Sequence, residues 1–336
     1  MLTFAVLALA ATPLPAPLTP RPGELKSFKD WATACDNGNS CSIASLAPIG
    51  GATPDATLNL IRDAGPEGGL RIILSAIGDA AVPAGLSVDG KSVGSAFRPM
   101  ARGATLDGAG AMAVAALLGN SKTLVVTDAG GNRIATLSPN GLAAALRHID
   151  TAQGRDGGVT ALVARGAKPA SAVPAAPILP IIVAMRPAGQ AARPTAPQIA
   201  ALARSAKCNV DPTIPGKADA FALGAGMALV LVQCVAAVYN VSSAVFVIDN
   251  GKPRPARFDA PPGSGEASIV PLVLNAKYKA GTLTSYAKAR GLADCGTAQS
   301  FVWDGTKFRL SAQSEMDDCR GNPNFITTWR ARVTRP

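Results

Sequence analysis

The residues of this sequence best suited to chemistry are six cysteines and a group of charged residues near two of them. The cysteines are Cys35, Cys41, Cys208, Cys234, Cys295 and Cys319. There is no CxxC pair and a single histidine, His148, so the sequence offers no usual zinc ligand set and we predict no metal site. Because the cysteines form three couples that are local in sequence, we predict the disulfides Cys35–Cys41, Cys208–Cys234 and Cys295–Cys319.

The third predicted disulfide would gather a cluster of six charged residues onto two joined loops. They are Arg290, Asp294, Glu315, Asp317, Asp318 and Arg320. Paired carboxylates can do general acid–base work or hold calcium. Two interpretations remain open: a hydrolase that uses Asp294, Asp317 and Asp318, or a salt-bridged surface in which arginine neutralises aspartate. We assign no catalytic residue and expect no cofactor.

His148 and the loop between the first two cysteines have simpler explanations. His148 lies off the apolar stripe of a predicted helix, where a solvated position accounts for it. The oxygen-rich run 36–40 lacks the bidentate glutamate of a calcium loop, and a disulfide-bridged turn explains its composition.

Almost all of the net positive charge lies in the second half of the chain. The protein has a net charge of +10, with 12 basic and 12 acidic residues between Glu24 and Gly166 but 19 and 10 from Ala167 onward. Strand alternation predicts that Lys307, Arg309, Arg330 and Arg332 point away from the core. Arg290 and Arg320 complete the candidate binding residues. Ordinary solvation of a basic protein is the alternative.

A basic surface of this kind would attract anionic partners. Lipid headgroups, acidic glycans and acidic proteins are the candidates outside the cytoplasm. Nucleic acid is not expected, because the segment lacks the exposed aromatic residues that stack on bases.

The first 20 residues predict a secretory signal peptide. The run from Leu2 to Ala11 is apolar and contains a small-x-small pattern at residues 8–10, while prolines from Pro13 onward end it too early for a membrane span. We therefore predict a periplasmic or secreted protein without a membrane span in the mature chain.

Proline spacing divides the remaining chain. Seven prolines fall between residues 169 and 197, interleaved with alanine, a composition that favours extended segments. We predict an N-terminal β domain with a closing helix at residues 24–166, a Pro/Ala-rich linker at 167–196 and a basic C-terminal antiparallel β domain at 197–336. The fold class is mainly β (α+β), with a few short packing helices.

Turn signals and periodicity predict individual elements. Asp89-Gly90 between two short apolar runs predicts a hairpin. Ser138 as N-cap, followed by an apolar stripe from Leu142 to Ile149, predicts the closing helix. The apolar run 221–239, in which only Gln233 is clearly polar, predicts a buried strand pair around a glycine turn.

The hairpin 299–310 can be registered from its turn. Asp304-Gly305 as a two-residue loop pairs Trp303 with Thr306 and Phe301 with Phe308. This register places the aromatic side chains together on the core side.

Several of these motifs together resemble a known family. They are Trp31-x3-Cys35-Asp36-Asn37, Arg290-Gly291-x2-Asp294-Cys295-Gly296, the Val302–Leu310 hairpin, and Met316-x2-Cys319-Arg320-Gly321 followed by Thr328-Trp329-Arg330. The sequence resembles the proteobacterial family called domain of unknown function eleven-seventy-six over nearly the whole mature chain. The resemblance implies an exported protein with six characteristic cysteines and no established activity. The first domain is also weakly similar to the invasion-associated locus B proteins.

Overall fold

The computed structural model of the protein describes residues 19–93, 97–208, 217–263 and 269–336. Within these ranges it contains twenty-three strands and three α-helices, which confirms the mainly β fold class. The predicted signal peptide lies almost wholly outside the described residues. None of the described helices is long and apolar enough to cross a membrane.

The first half of the chain contains eleven strands and two helices. In chain order they are β1 (Lys26–Phe28), β2 (Trp31–Cys35), β3 (Cys41–Ser45), β4 (Ala56–Arg62), β5 (Leu70–Ala76), β6 (Gly85–Val88), β7 (Lys91–Ser92), β8 (Arg98–Met100), β9 (Gly103–Asp107), α1 (Gly108–Leu118), β10 (Leu124–Thr127), β11 (Arg133–Leu137) and α2 (Leu142–Ala152).

The strands of this half form two antiparallel sheets. One has the order β1-β2-β3-β4-β5-β9-β8 and the other β11-β10-β6-β7. Both sheets and both helices contribute to one apolar core, which includes Leu58, Ile72, Leu86, Leu124 and Leu146. Burial of these aliphatic side chains stabilises the packing of the two sheets and two helices against one another.

Two of the predicted elements of this half are confirmed, one with a different start. Asp89 and Gly90 have φ angles of 49° and 77°, as a type I′ turn requires, and they join β6 to β7. The stripe of α2 is buried as predicted, but the helix begins at Leu142 after Gly141 rather than at Ser138. The Ser138 hydroxyl instead donates a hydrogen bond to Asp30 Oδ2 at 2.6 Å.

The second half of the chain contains twelve strands and one helix. They are β12 (Ile181–Val183), α3 (Ala196–Ser205), β13 (Ala218–Gly224), β14 (Met227–Ala236), β15 (Val241–Asp249), β16 (Lys252–Pro255), β17 (Leu272–Leu274), β18 (Lys277–Lys279), β19 (Thr282–Lys288), β20 (Gly296–Trp303), β21 (Phe308–Met316), β22 (Ile326–Arg330) and β23 (Arg332–Thr334).

Two five-stranded sheets enclose the apolar core of this half. The first has the order β13-β14-β15-β16 with β17 on β15, and the second has the order β18-β19-β20-β21-β22. The first sheet contributes Leu229, Leu231 and Val245 to the shared core, and the second contributes Phe301 and Trp329. The predicted strand pair around a glycine turn is confirmed as β13 and β14.

The predicted register of the hairpin 299–310 is wrong by two residues. Trp303 pairs with Phe308 and Phe301 with Leu310, so the loop has four residues instead of two. Asp304 Oδ1 accepts hydrogen bonds from the amides of Thr306 and Lys307, each at 2.8 Å, and this stabilises the longer loop. Because a shift of two preserves the strand face, the aromatic side chains still share the core side.

The two halves meet over a buried apolar cluster and through the segment between them. Ala34 and Leu46 of the first half pack in one cluster with Met316 and Ile326 of the second. Within the proline-rich segment, β12 pairs in parallel with β23. The predicted domain bounds stay a prediction, because packing across a boundary does not decide whether each half folds alone.

Candidate functional site

All three predicted disulfides are present. The Cα–Cα separations are 3.9 Å for Cys35–Cys41, 4.4 Å for Cys208–Cys234 and 4.8 Å for Cys295–Cys319. Cys35 and Cys41 lie opposite each other on β2 and β3, so this bridge closes a hairpin. Three disulfides are typical of proteins that work outside the reducing cytoplasm.

In the third-disulfide cluster, Asp294 is neutralised by Arg290. Arg290 Nε donates to Asp294 Oδ1 at 2.7 Å, and a second guanidinium nitrogen reaches Oδ2. Asp294 Oδ2 also accepts a hydrogen bond from the Gly321 amide at 2.7 Å. The Arg290 guanidinium is the main cause that lowers the pKa of Asp294 below its usual range. A carboxyl held in its ionised form is poorly suited to act as a general acid.

The other carboxylates of this cluster have different environments. Burial, followed by the charge of Asp317, raises the pKa of Glu315, which accepts a hydrogen bond from Gln313 Nε2. Asp317 is exposed. Asp318 accepts a hydrogen bond from the Ser27 hydroxyl of the first half. Within the described residues, no group of three or more His, Cys, Asp or Glu side chains is placed to hold a metal ion.

Four of the six candidate binding residues form ion pairs. Arg290 pairs with Asp294, as described above. Arg309 pairs with both Asp259 and Asp304, Arg320 pairs with Asp30, and Arg330 pairs with Asp36. Strand alternation placed Arg309 on the exposed side, but its side chain is only 19% exposed and its guanidinium is 2.5 Å from Asp259 Oδ2. Arg320 and Arg330 pair with the first half, so these cations link the two halves.

The other two candidates, Lys307 and Arg332, form no ion pair with any described residue. Arg332 is exposed at the start of β23, where its amide donates to Pro180 O at 2.8 Å. Lys307 is half-buried at the end of the four-residue loop. Lys277 and Lys279 on β18 are exposed and likewise without an ion pair in the described chain. These four cations can meet an anionic partner without first breaking a bridge.

His148 packs on an aromatic ring. Its imidazole centroid lies 5.5 Å from that of Phe28, and burial followed by the charge of Lys26 lowers its pKa. This environment favours the neutral ring.

Two neighbouring cavities lie where β13 and β18, the edge strands of the two sheets in the second half, face each other. The proline cavity has a volume of about 560 Å³, and its lining includes Pro187, Arg193, Phe221 and Tyr278. The lysine cavity has a volume of about 660 Å³ and is lined by Ile199, Lys217, Ala218, Asp219, Leu231, Gln233, Val241, Ser243, Asn275, Ala276 and Lys277.

The lysine cavity was not predicted from the sequence. The sequence feature that could have predicted it is Gln233, the one clearly polar side chain in the apolar run 221–239. Gln233 lies directly opposite Ser243 on the neighbouring strand. A polar pair at the inner face of an otherwise apolar sheet indicates a cavity or a binding site.

These features define a mainly β protein that is stapled by three disulfides and carries a basic second half. The chain belongs to the family described as "Protein of unknown function (DUF1176)", whose model matches residues 25–332. This confirms the resemblance inferred from the cysteine and tryptophan motifs. The comparisons do not show the similarity to the invasion-associated locus B proteins.

One relative is similar to this chain over nearly the full length of both proteins. The protein is 28% identical over 340 residues to "Uncharacterized protein YpfG" of Escherichia coli (strain K12), covering 91% of this chain and 93% of the relative. No solved structure matches the chain.

Proposed function

We propose that the protein is a non-catalytic binding module of the periplasm or the secreted fraction. Its second half holds an anionic envelope component or an acidic protein. The observation that carries this proposal is a group of cations that form no ion pair with any described residue, among them Lys277, Lys279, Lys307 and Arg332, in a half with 19 basic and 10 acidic residues. Long-range attraction to such a surface raises the local concentration of anionic partners.

The compartment follows from the covalent chemistry and the proposed signal peptide at residues 1–20. Disulfides persist in the periplasm and outside the cell, whereas the cytoplasm keeps thiols reduced. The three disulfide bonds and the apolar N-terminal segment both support export from the cytoplasm.

A hydrolase that uses Asp294, Asp317 and Asp318 is the second candidate. Glu315 is the observation that favours it, because a carboxyl with a raised pKa next to Asp317 is the environment of a general acid. The ion pair of Asp294 with Arg290 argues against it, since the best-buried carboxylate of the cluster is already neutralised.

Vesicle binding by the full chain tests the binding proposal. We expect binding to vesicles with anionic headgroups, weak binding to neutral vesicles, and steep loss of binding as salt shortens the screening length toward about 8 Å. The double substitution Lys307→Gln/Arg332→Gln should weaken binding several-fold. The matched control is Lys91→Gln/Arg133→Gln, which removes the same charge from exposed positions of the first half.

Equal loss in both double variants would mean that only net charge matters, and it would contradict a binding surface in the second half. A vesicle affinity independent of headgroup charge would contradict the proposal as a whole.

A further inference from the structure

The lysine cavity lies at the point where the core between the two five-stranded sheets changes from apolar to polar. Along β14 and β15 the inward pairs are Leu229 with Val247, then Leu231 with Val245, and then Gln233 with Ser243. The first two pairs belong to the apolar core. The third pair lines the cavity, so the sandwich has an open, polar end.

The polar side chains on the cavity floor are available to a ligand. Gln233 and Ser243 form no side-chain hydrogen bond with any described residue. Asn275 differs, since its amide donates to Asn240 Oδ1 at 2.7 Å and to Tyr286 O at 2.9 Å. Asn275 therefore holds the wall of the cavity, while the side chains of Gln233 and Ser243 keep hydrogen-bonding capacity that no described residue uses.

The rim of the lysine cavity carries both signs of charge. Lys217, Lys277 and Asp219 line it, all three are exposed, and no ion pair joins them. An ammonium group only donates hydrogen bonds, a carboxylate only accepts them, and amide and hydroxyl side chains do both. The cavity therefore suits a ligand that offers both acidic acceptors and hydroxyl donors.

We propose that the lysine cavity binds an acidic saccharide, a sugar that bears both hydroxyl and carboxylate groups. The lysines would hold the carboxylate, Asp219 would accept hydroxyl protons, and Gln233 and Ser243 would bond the ring substituents. The cavity volume falls within the roughly 300–1,000 Å³ typical of small-ligand sites. This inference rests on the proposed function and names a ligand class for it.

An acidic peptide fits this arrangement less well. The side chains of an acidic peptide offer acceptors but no hydroxyl donor for Asp219. A phosphodiester group by itself likewise offers Asp219 only acceptors. The saccharide is thus the class that satisfies every charged group of the rim.

Calorimetric titration of the full chain with trigalacturonic acid at low salt tests the proposal. Maltotriose is the neutral saccharide control, and triglutamate is the acidic peptide control. We expect trigalacturonic acid to bind at least about tenfold more tightly than either control, because each control lacks one of the two required groups.

Two exposed lysines of the second half, Lys277 on β18 and Lys252 on β16, provide the variant and its matched control. Lys277→Gln should weaken trigalacturonic acid binding about tenfold, the loss expected for one charged hydrogen bond. Lys252→Gln removes the same charge from outside the cavity lining and should change the affinity less than about twofold. Gln233→Leu and Ser243→Ala should each weaken binding, with unfolding curves recorded to confirm that both variants fold.

The outcomes separate this inference from the proposed function. Binding that responds to Lys307→Gln/Arg332→Gln but not to Lys277→Gln or Gln233→Leu would overturn the lysine cavity and leave the basic surface standing. Tighter binding of triglutamate than of trigalacturonic acid would overturn the ligand class. Absence of binding to every anionic probe, vesicles included, would overturn both.

Discussion

Arg320 and Asp30 form an ion pair across the two halves of the chain. Both side chains are largely buried, at 15% and 10% exposed. The Arg320 guanidinium also donates to the carbonyl oxygens of Ala47 and Lys29, at 2.6 Å each. One side chain of the second half thus satisfies three acceptors of the first.

Replacing Arg320 with Gln should destabilise the whole chain. The change leaves Asp30 and two carbonyl groups without their donor, and we expect the free energy of unfolding to fall by about 1–3 kcal/mol. Thermal and urea unfolding followed by circular dichroism will measure this. Arg332→Gln, an exposed position without an ion pair in the described chain, is the control and should lie within about 0.5 kcal/mol of the parent. An Arg320 variant as stable as this control would mean that this ion pair does not stabilise the contact between the halves.

The disulfides should differ in their contribution to stability according to loop length. Cys208 and Cys234 are separated by 26 positions, and Cys35 and Cys41 by 6. The chain-entropy model gives about 3.5 kcal/mol for the longer loop and about 2 kcal/mol for the shorter one. Serine double variants of each pair, compared by urea unfolding under non-reducing conditions, should therefore rank in that order. The reverse ranking would show that native packing, not loop closure, governs these bridges.

The structure also shows which features local sequence signals could predict. Features formed by residues close in sequence could be predicted. The three disulfides each join cysteines that are neighbours in sequence, and Asp89-Gly90 specifies its turn because these residues tolerate the φ angles required. Helix α1 was missed because its residues are apolar or small on all sides, so no stripe marks it.

Long-range partners were not accessible from the sequence. Arg309 meets Asp259 and Arg330 meets Asp36 only after distant parts of the chain have assembled, and no local pattern encodes either pair. The hairpin register failed for a related reason. The β-bulge between Ser300 and Phe301 forms only in the folded sheet, and the hydrogen bonds of Asp304 to the amides of Thr306 and Lys307 favour a four-residue loop over the two-residue turn that Asp-Gly suggested. The candidate site was therefore predictable in its charge but not in which charges remain unpaired.

The Arg290–Asp294 pair predicts a dependence of stability on pH. The pKa of Asp294 is lower in the folded chain than its usual value of about 4. Its charge therefore stabilises the fold fully above about pH 4, and this contribution is lost as the pH falls through the folded pKa. Arg290→Gln should reduce stability at pH 7 and lose its effect at the acid end. Urea midpoints from pH 2 to 7 will measure the difference, with Lys279→Gln as control. A difference in stability between Arg290→Gln and the parent that stayed constant from pH 2 to 7 would contradict a lowered pKa of Asp294.

The Glu315 carboxyl predicts the opposite dependence of stability on pH. Burial raises its pKa in the folded chain, so its contribution is fully present below the unfolded pKa of about 4.3 and is lost as the pH rises through the folded value. Glu315→Gln should therefore raise stability at pH 7 and leave it unchanged near pH 3. Asp317→Asn should give a smaller gain, because it removes only the second cause of the shift. A loss of stability at pH 7 would show that the ionised carboxylate is favoured.

Two variants that remove basic side chains of the second half should distinguish the side chains that stabilise the fold from those that bind a partner. Asp259 is 5% exposed and depends on Arg309, whose Nε lies 2.5 Å from its Oδ2. Arg309→Gln leaves this buried carboxylate without its charge partner and should lower the free energy of unfolding by about 1–3 kcal/mol.

Lys307→Gln/Arg332→Gln removes cations without an ion pair in the described chain, so it should leave thermal stability nearly unchanged while it weakens binding to anionic vesicles. Unfolding curves and vesicle sedimentation on the same preparations give both quantities. If Arg309→Gln proved neutral for stability and the double variant destabilising, the structural and binding roles of these side chains would have to be exchanged.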